Sequence, residues 1–320
     1  DLWNAILAKD PPEYIRNVGF DYTIGRPYQD VQHQLLKLKA WHETGKTGRL
    51  NLIVSGQYNT RDEYDQKRFT SSNNAPQLSM GIGTVLTELV WDHYSTGAWR
   101  GTVGCSFMYQ DNSYETRLFI PNYQSTNAGV FVIEKFTYKK LEVEGGVRFD
   151  SKAIFNTNDN NNLFTYSDLL FNNLSGNFGL NYRFTNSFRT VVNISTAWRS
   201  PQVNELYANG LHHGAARIEK GNASLTPERS NNISANLLFN SNKWDVDAGF
   251  YMKQIDGFIF LEPTFPPELT IRGAFPAFRY SQTNARLSGF DLSAQYNINA
   301  HWNASAKASL LRAWNKKIKD

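Results

Sequence analysis

The chain has 320 residues, of which 41% are hydrophobic and 14% aromatic, and carries a formal net charge of +4. A mean hydropathy of −0.50, with no run near the roughly 20 apolar residues that a spanning helix needs, excludes a bundle of membrane helices. The single cysteine, Cys105, excludes an internal disulfide framework and a thiolate metal cluster, and scattered basic residues give nucleic acid no footprint.

In chain order, strands are predicted near 31–42, 49–58, 78–92, 99–110, 127–137, 140–150, 174–184, 188–198, 231–239, 244–260, 279–298 and 302–314. In the second of these, Leu50, Leu52, Val54, Gly56 and Tyr58 alternate with Asn51, Ile53, Ser55 and Gln57. In the sixth, Leu141, Val143, Gly145, Val147 and Phe149 alternate with Glu142, Glu144, Gly146, Arg148 and Asp150. Successive side chains of a strand point to opposite faces, so each run has one apolar and one polar side. Runs of about 10 residues suit a tilted strand that crosses a bilayer, whereas soluble strands average about 5–6.

The connections alternate strictly between short and long. Short ones fall at 43–48, 93–98, 138–139, 185–187, 240–243 and 299–301, and long polar ones at 59–77, 111–126, 151–173, 199–230 and 261–278. An up-and-down barrel of an outer membrane has tight periplasmic turns on one rim and long extracellular loops on the other. A soluble sandwich, the rival architecture, has no reason to keep that parity. Trp41, Trp91, Trp99, Trp198, Trp244, Trp302 and Trp314 sit near proposed strand ends, as interfacial rings do. Cys105 shares a face with Val103 and Phe107 and reads as a filler toward lipid; Gly56 and Gly145 read as positions of close packing or bending. The fold class is therefore all-β, a partial up-and-down transmembrane antiparallel barrel of about twelve strands. Two bare edges in hydrocarbon are prohibitive, so residues 1–320 are expected to be the central fragment of a longer barrel. The opening Asp1-Leu2-Trp3, with no basic start or apolar core of a signal peptide, agrees with that expectation.

The connection 199–230 is the richest in special residues. Trp198-Arg199-Ser200-Pro201, Glu205-Leu206-Tyr207, Gly210 with His212-His213-Gly214, Gly221-Asn222, Leu225 and Pro227-Glu228-Arg229-Ser230 resemble the late-barrel signature of TonB-dependent receptors. The block Gln57–Asp65, written QYNTRDEYD, is similar to receptors of the Bacteroidota, as are Phe119–Tyr123, Gly145–Asp150 and Ile271–Pro276. The resemblance implies a 22-stranded parent closed by a plug, with the N-terminal plug and the C-terminal closing strands outside this chain. It also implies energised import of a scarce metal chelate such as an iron–siderophore or haem, with zinc, cobalamin or a passive pore as alternatives. Implied partners are TonB with ExbB and ExbD, the chelate, and outer-membrane lipid; no bound cofactor is implied.

Candidate ligand-binding residues within that connection are Glu205, Tyr207, His212, His213, Arg217, Glu219 and Asn222. Neutral imidazole is a common ligand of zinc and of haem iron, so His212 and His213 are the candidate metal contacts; the competing reading makes them loop-packing residues. Arg199, Arg217 and Arg229 either attract an anionic chelate or pair with Glu205, Glu219 and Glu228. Asn59, Arg61 and Glu63 are expected to order the mouth of their own loop. Glu142, Glu144, Arg148, Asp245, Asp247 and Lys253 are expected to line the lumen wall. Zinc-protease, nucleophile-elbow, phosphate-loop and EF-hand patterns are absent, so no enzyme is expected.

Overall fold

The computed structural model describes residues 22, 24–65, 74–116, 118–156, 166–270 and 273–316. The opening Asp1-Leu2-Trp3, Ile271-Arg272 and the closing Lys317, Ile318 and Lys319 lie outside the described residues, as does the His213 side chain. Twelve long strands carry the fold. They are β1 (Tyr28–Glu43), β2 (Gly48–Tyr64), β3 (Leu78–Thr96), β4 (Trp99–Tyr114), β5 (Tyr123–Tyr138), β6 (Leu141–Asn156), β7 (Leu169–Arg183), β8 (Phe188–Arg199), β11 (Glu228–Asn240), β12 (Trp244–Thr270), β13 (Gly273–Asn297) and β14 (Asn303–Lys316). Between β8 and β11 lie a short helix, α1 (Val203–Tyr207), and two four-residue strands, β9 (Asn209–His212) and β10 (Arg217–Lys220). Each long strand pairs antiparallel with the next along the chain, β8 passing directly to β11. The sheet is open among the described residues, with β1 and β14 as its outer long strands.

Register decides which side chains share a face. The row Leu89, Cys105, Val130, Phe149 runs across four strands, and Ala235, Phe250, Phe290, Leu310 across four more. These belong to one continuous apolar side, on which Val130, Val147, Leu174 and Leu310 stay more than half exposed. A soluble protein would bury such a surface; here it is the outer wall of a barrel in lipid. Glu142, Glu144, Arg148, Asp245, Asp247 and Lys253 all fall on the opposite, lumen side.

Aromatic pairs mark the short-turn rim of the outer wall. Trp99 lies 4.9 Å from Phe136, Tyr182 4.8 Å from Phe184, Phe184 5.2 Å from Phe188 and Trp244 4.6 Å from Tyr296. This is the girdle expected where lipid meets water. Trp41 is a correction, since it stands opposite Asn51 on the lumen side. Gly56 and Gly145 are a second: a Cβ built at either meets nothing within 4 Å, because both face outward into open space. The third concerns 261–278, which is no loop. β12 and β13 continue as a hairpin to Thr270 and Gly273, with a register shift between Thr264 and Glu268 that leaves Pro266 and Pro267 outside the ladder. Proline has no N–H to donate, and a bulge accommodates that.

Val147 tests the two-sided wall. Val147→Arg places a charge toward lipid and is expected to cost about 2–4 kcal/mol. Asn181→Arg, inward beside Glu142, is expected to change stability by about 0.5 kcal/mol or less. Denaturant unfolding from lipid vesicles separates the two.

Candidate functional site

The connection from β8 to β11 is folded against the lumen side at the long-loop rim. α1 starts after Pro201, which is fully buried, and Glu205 Oε2 accepts from the Gln202 N–H at 2.7 Å, satisfying one of the helix's free donors. Val203 and Leu206 are buried, and Leu206 packs with Leu225 and Ile259. The chain then returns beneath the helix. Gly221 N donates to Ala208 O at 2.6 Å, and Asn222 N to Glu205 O at 2.9 Å. A Cβ at Gly221 would stand 2.5 Å from the backbone of Leu206 and Tyr207, so only glycine fits this approach.

β9 and β10 form a small antiparallel hairpin, and β10 adds in parallel to β13, with Ile218 opposite Ala277. Leu211 and Ile218 are buried against Ala277 and Phe275. Period-2 geometry then puts His212, its cross-strand partner Arg217, and Glu219 on the other face. These three meet. His212 Nδ1 lies 2.9 Å from Glu219 Oε1, and Arg217 Nε donates to the same oxygen at 2.8 Å. Tyr280 OH donates to Glu219 Oε2 at 3.2 Å and accepts from Asn204 Nδ2 at 3.1 Å, tying the hairpin to both β13 and α1.

The far side of His212 meets β2. Its Nε2 is 3.4 Å from the Arg61 guanidinium and 3.8 Å from Glu63 Oε1. Glu63 is 1% exposed; it pairs with Arg61, accepts from Gln29 at 3.4 Å, and accepts from Gly214 N at 3.0 Å. Phe119 closes the assembly with its ring 5.3 Å from the imidazole. A carboxylate this deep is tolerated only because every oxygen has a donor. Burial pushes the Glu219 carboxyl up, but the hydrogen bonds and charges of His212 and Arg217 outweigh it and hold the group at about 2.

The candidates therefore fall in two linked groups. His212, Arg217 and Glu219 form a clasp with Arg61 and Glu63. Glu205 joins Arg199 (2.7 Å), which also binds Glu228 at 3.0 Å. Tyr207 packs edge-on against Tyr166 at 5.0 Å, and Asn222 Oδ1 holds the next turn through Ser224 N at 3.1 Å. Of the three arginines weighed earlier, Arg199 and Arg217 pair with glutamates, while Arg229 faces outward opposite Trp198. Glu63 and Arg61 order this distant hairpin as well as their own strand end, and Tyr280 carried no sequence signal beyond lying in a strand. Among the described residues, no group of three or more His, Cys, Asp or Glu is gathered for a metal ion.

Residues 3–318 match the family model described as TonB dependent receptor-like, beta-barrel. The chain belongs to this family. It is part of an outer-membrane receptor barrel of the TonB-dependent type. Among curated relatives, the heme/hemopexin utilization protein C of Haemophilus influenzae (strain ATCC 51907 / DSM 11121 / KW20 / Rd) is 29% identical over 224 residues, covering 62% of this chain and 29% of that protein. Among solved structures, the copper transporter OprC has a TM-score of 0.69 at 17% identity, over 91% of this chain and 47% of that one. The FrpB iron transporter from Neisseria meningitidis (F3-3 variant) has a TM-score of 0.65 at 14% identity, over 90% and 44%. The chain thus spans under a third of that curated relative and about half of the solved structures.

The receptor's clasp predicts an acid limit. Glu219 is ordinarily at 4.5 and is lowered to about 2 here, so its contribution is complete above pH 4.5 and is lost as pH falls toward 2. Limited proteolysis of the 200–227 segment should show protection that fades across that window. Glu219→Gln should make the segment about tenfold more susceptible at neutral pH, with the barrel still folded.

Proposed function

We propose that the whole receptor imports haem or a closely related metal chelate, energised by TonB with ExbB and ExbD acting through a plug. The supporting relatives are named for haem/hemopexin utilization and for iron and copper transport. The motif blocks further assign the chain to the Bacteroidota group of receptors and to the middle of a 22-stranded parent.

The observation that carries the reading is the clasp. It pins one hairpin across the long-loop rim, with a short 3-10 turn, His213–Ala215, at its tip. Both nitrogens of His212 are engaged inside the clasp, so His212 is the positioning residue and His213 the candidate contact to the metal of the chelate. Basic groups suited to the carboxylates of such cargo stand beside them. Arg217 lies over the Phe278 ring at 5.5 Å with its side chain 36% exposed, and the Arg61 side chain is 38% exposed. Guanidinium binds carboxylate through paired hydrogen bonds. Glu205, Tyr207 and Asn222 hold the base of the loop.

In a host without other haem receptors, His213→Ala in the full-length protein is expected to weaken haem binding at least about tenfold, as a lost ligand bond would, and to slow growth on haem. Glu219→Gln should weaken it less and raise loop mobility. Unchanged haem affinity and growth in His213→Ala would contradict the assignment. Normal growth on haem without the receptor gene, with loss of growth on another chelate, would replace haem as the cargo.

A further inference from the structure

The outer wall carries an uneven charge. On β11–β14 the apolar band is built from Ile233, Leu237, Phe250, Met252, Phe290 and Leu310 and their neighbours. Directly above it, toward the long-loop rim, the outward positions become Arg229 on β11, Arg286 on β13 and Arg312 on β14. All three are exposed, and among the described residues none has an ion pair. Arg286 donates to the sulfur of Met252 at 2.7 Å, which keeps its guanidinium low against the apolar band.

Outward carboxylates do not neutralise this row. Among the described outward positions of these four strands from the short turns up to the level of Arg229, Asp256 is the one acidic residue; it stands opposite Arg229 and accepts from Gln254 Nε2 at 3.2 Å. The equivalent level on β3–β8 is different in kind. There Gly83, Tyr109, Thr126, Ser151, Asn172 and Thr196 face outward, and no lysine or arginine appears. Generic snorkelling to water would scatter basic residues around the barrel; here they converge on one side.

Geometry limits the ligand. Strands about 4.8 Å apart, with Arg286 level with Asn231, two residues along from Arg229, put Arg229 about 12 Å from Arg286. Arg286 stands opposite Trp314, two residues from Arg312 on the same face, so this diagonal pair is about 7–8 Å apart. Three guanidinium forks at the lipid–water boundary, none of them ion-paired among the described residues, match phosphate oxygens, with acyl chains lying down the apolar band below. We propose that β11–β14 hold a specific site for the phosphate headgroup of an anionic lipid in the outer leaflet, bound by Arg229, Arg286 and Arg312. The site lies on the outer wall, apart from the clasp, so it stands or falls independently of the cargo.

The test uses the full-length receptor in bilayers of dioleoylphosphatidylcholine doped with dioleoylphosphatidic acid, with bound lipid counted by native mass spectrometry. The wild type should retain phosphatidic acid over phosphatidylcholine. The triple variant Arg229→Gln, Arg286→Gln, Arg312→Gln should lose about tenfold or more of that preference, while added inorganic phosphate should not displace the lipid from the wild type. The three single variants, each folded or not by heat-modifiable mobility, serve if the triple variant does not fold, and each should lose part of the preference. Equal retention in wild type and variants overturns the site. Displacement by inorganic phosphate alone overturns the lipid as its occupant.

Discussion

Hydrocarbon offers no hydrogen-bond partners, and every other feature of this chain follows from that constraint. Each backbone N–H and C=O within the bilayer must be paired inside the protein. The chain answers with twelve long strands, each joined to its sequence neighbour by an antiparallel ladder, and only the crossing from β8 to β11 skips elements. Once the ladder is set, side chains alternate, and the outer row must be apolar while the inner row is free to be charged. Cys105 between Leu89 and Val130 on one face, and Glu144, opposite Lys135, on the other, express one rule.

A rigid wall makes an ordered loop possible. The hairpin of β9 and β10 is too short to be stable alone; it becomes fixed by extending the sheet along β13 and by closing on β2. Glu63 and Glu219 are buried carboxylates, and their burial is viable because Arg61, Arg217, His212, Tyr280 and the Gly214 N–H answer them. Removing one partner leaves another charge unanswered, so the clasp is all-or-nothing in character. A loop held this way is ordered in advance, and under the proposed function it presents a defined surface to cargo without the entropy cost of ordering it on each encounter.

Much of this architecture was legible in the sequence, because period-2 alternation and the parity of gap lengths are direct consequences of the bilayer. All twelve long strands lie where alternation put them. The stretch 261–278 was misread because Pro263, Pro266, Pro267 and Glu268 carry the composition of a loop, whereas the register shift at Thr264–Glu268 takes up the prolines within a continuing hairpin. Trp41 was misread because an aromatic at a strand end says nothing of which face it takes until register is known. The composition of 199–230 pointed to the segment that folds into the clasp, and the Arg199–Glu205 and Arg199–Glu228 pairs were among the pairings open to sequence reasoning. The partnership of His212 with Glu219, Glu63 and Arg61 was not, since it depends on a cross-strand register in a four-residue hairpin and on a strand far away in sequence.

Two faces, one in lipid and one in water, are the core of the account, and β6 offers the cleanest measurement. Single cysteines placed from Leu141 to Phe149 in a Cys105→Ser full-length receptor can be probed in vesicles with a water-soluble thiol reagent and a lipid-borne quencher. The account requires a strict two-residue period, with positions 141, 143, 145, 147 and 149 quenched from lipid and 142, 144, 146 and 148 labelled from water. Uniform labelling along the strand, or a repeat of three to four residues, would contradict it.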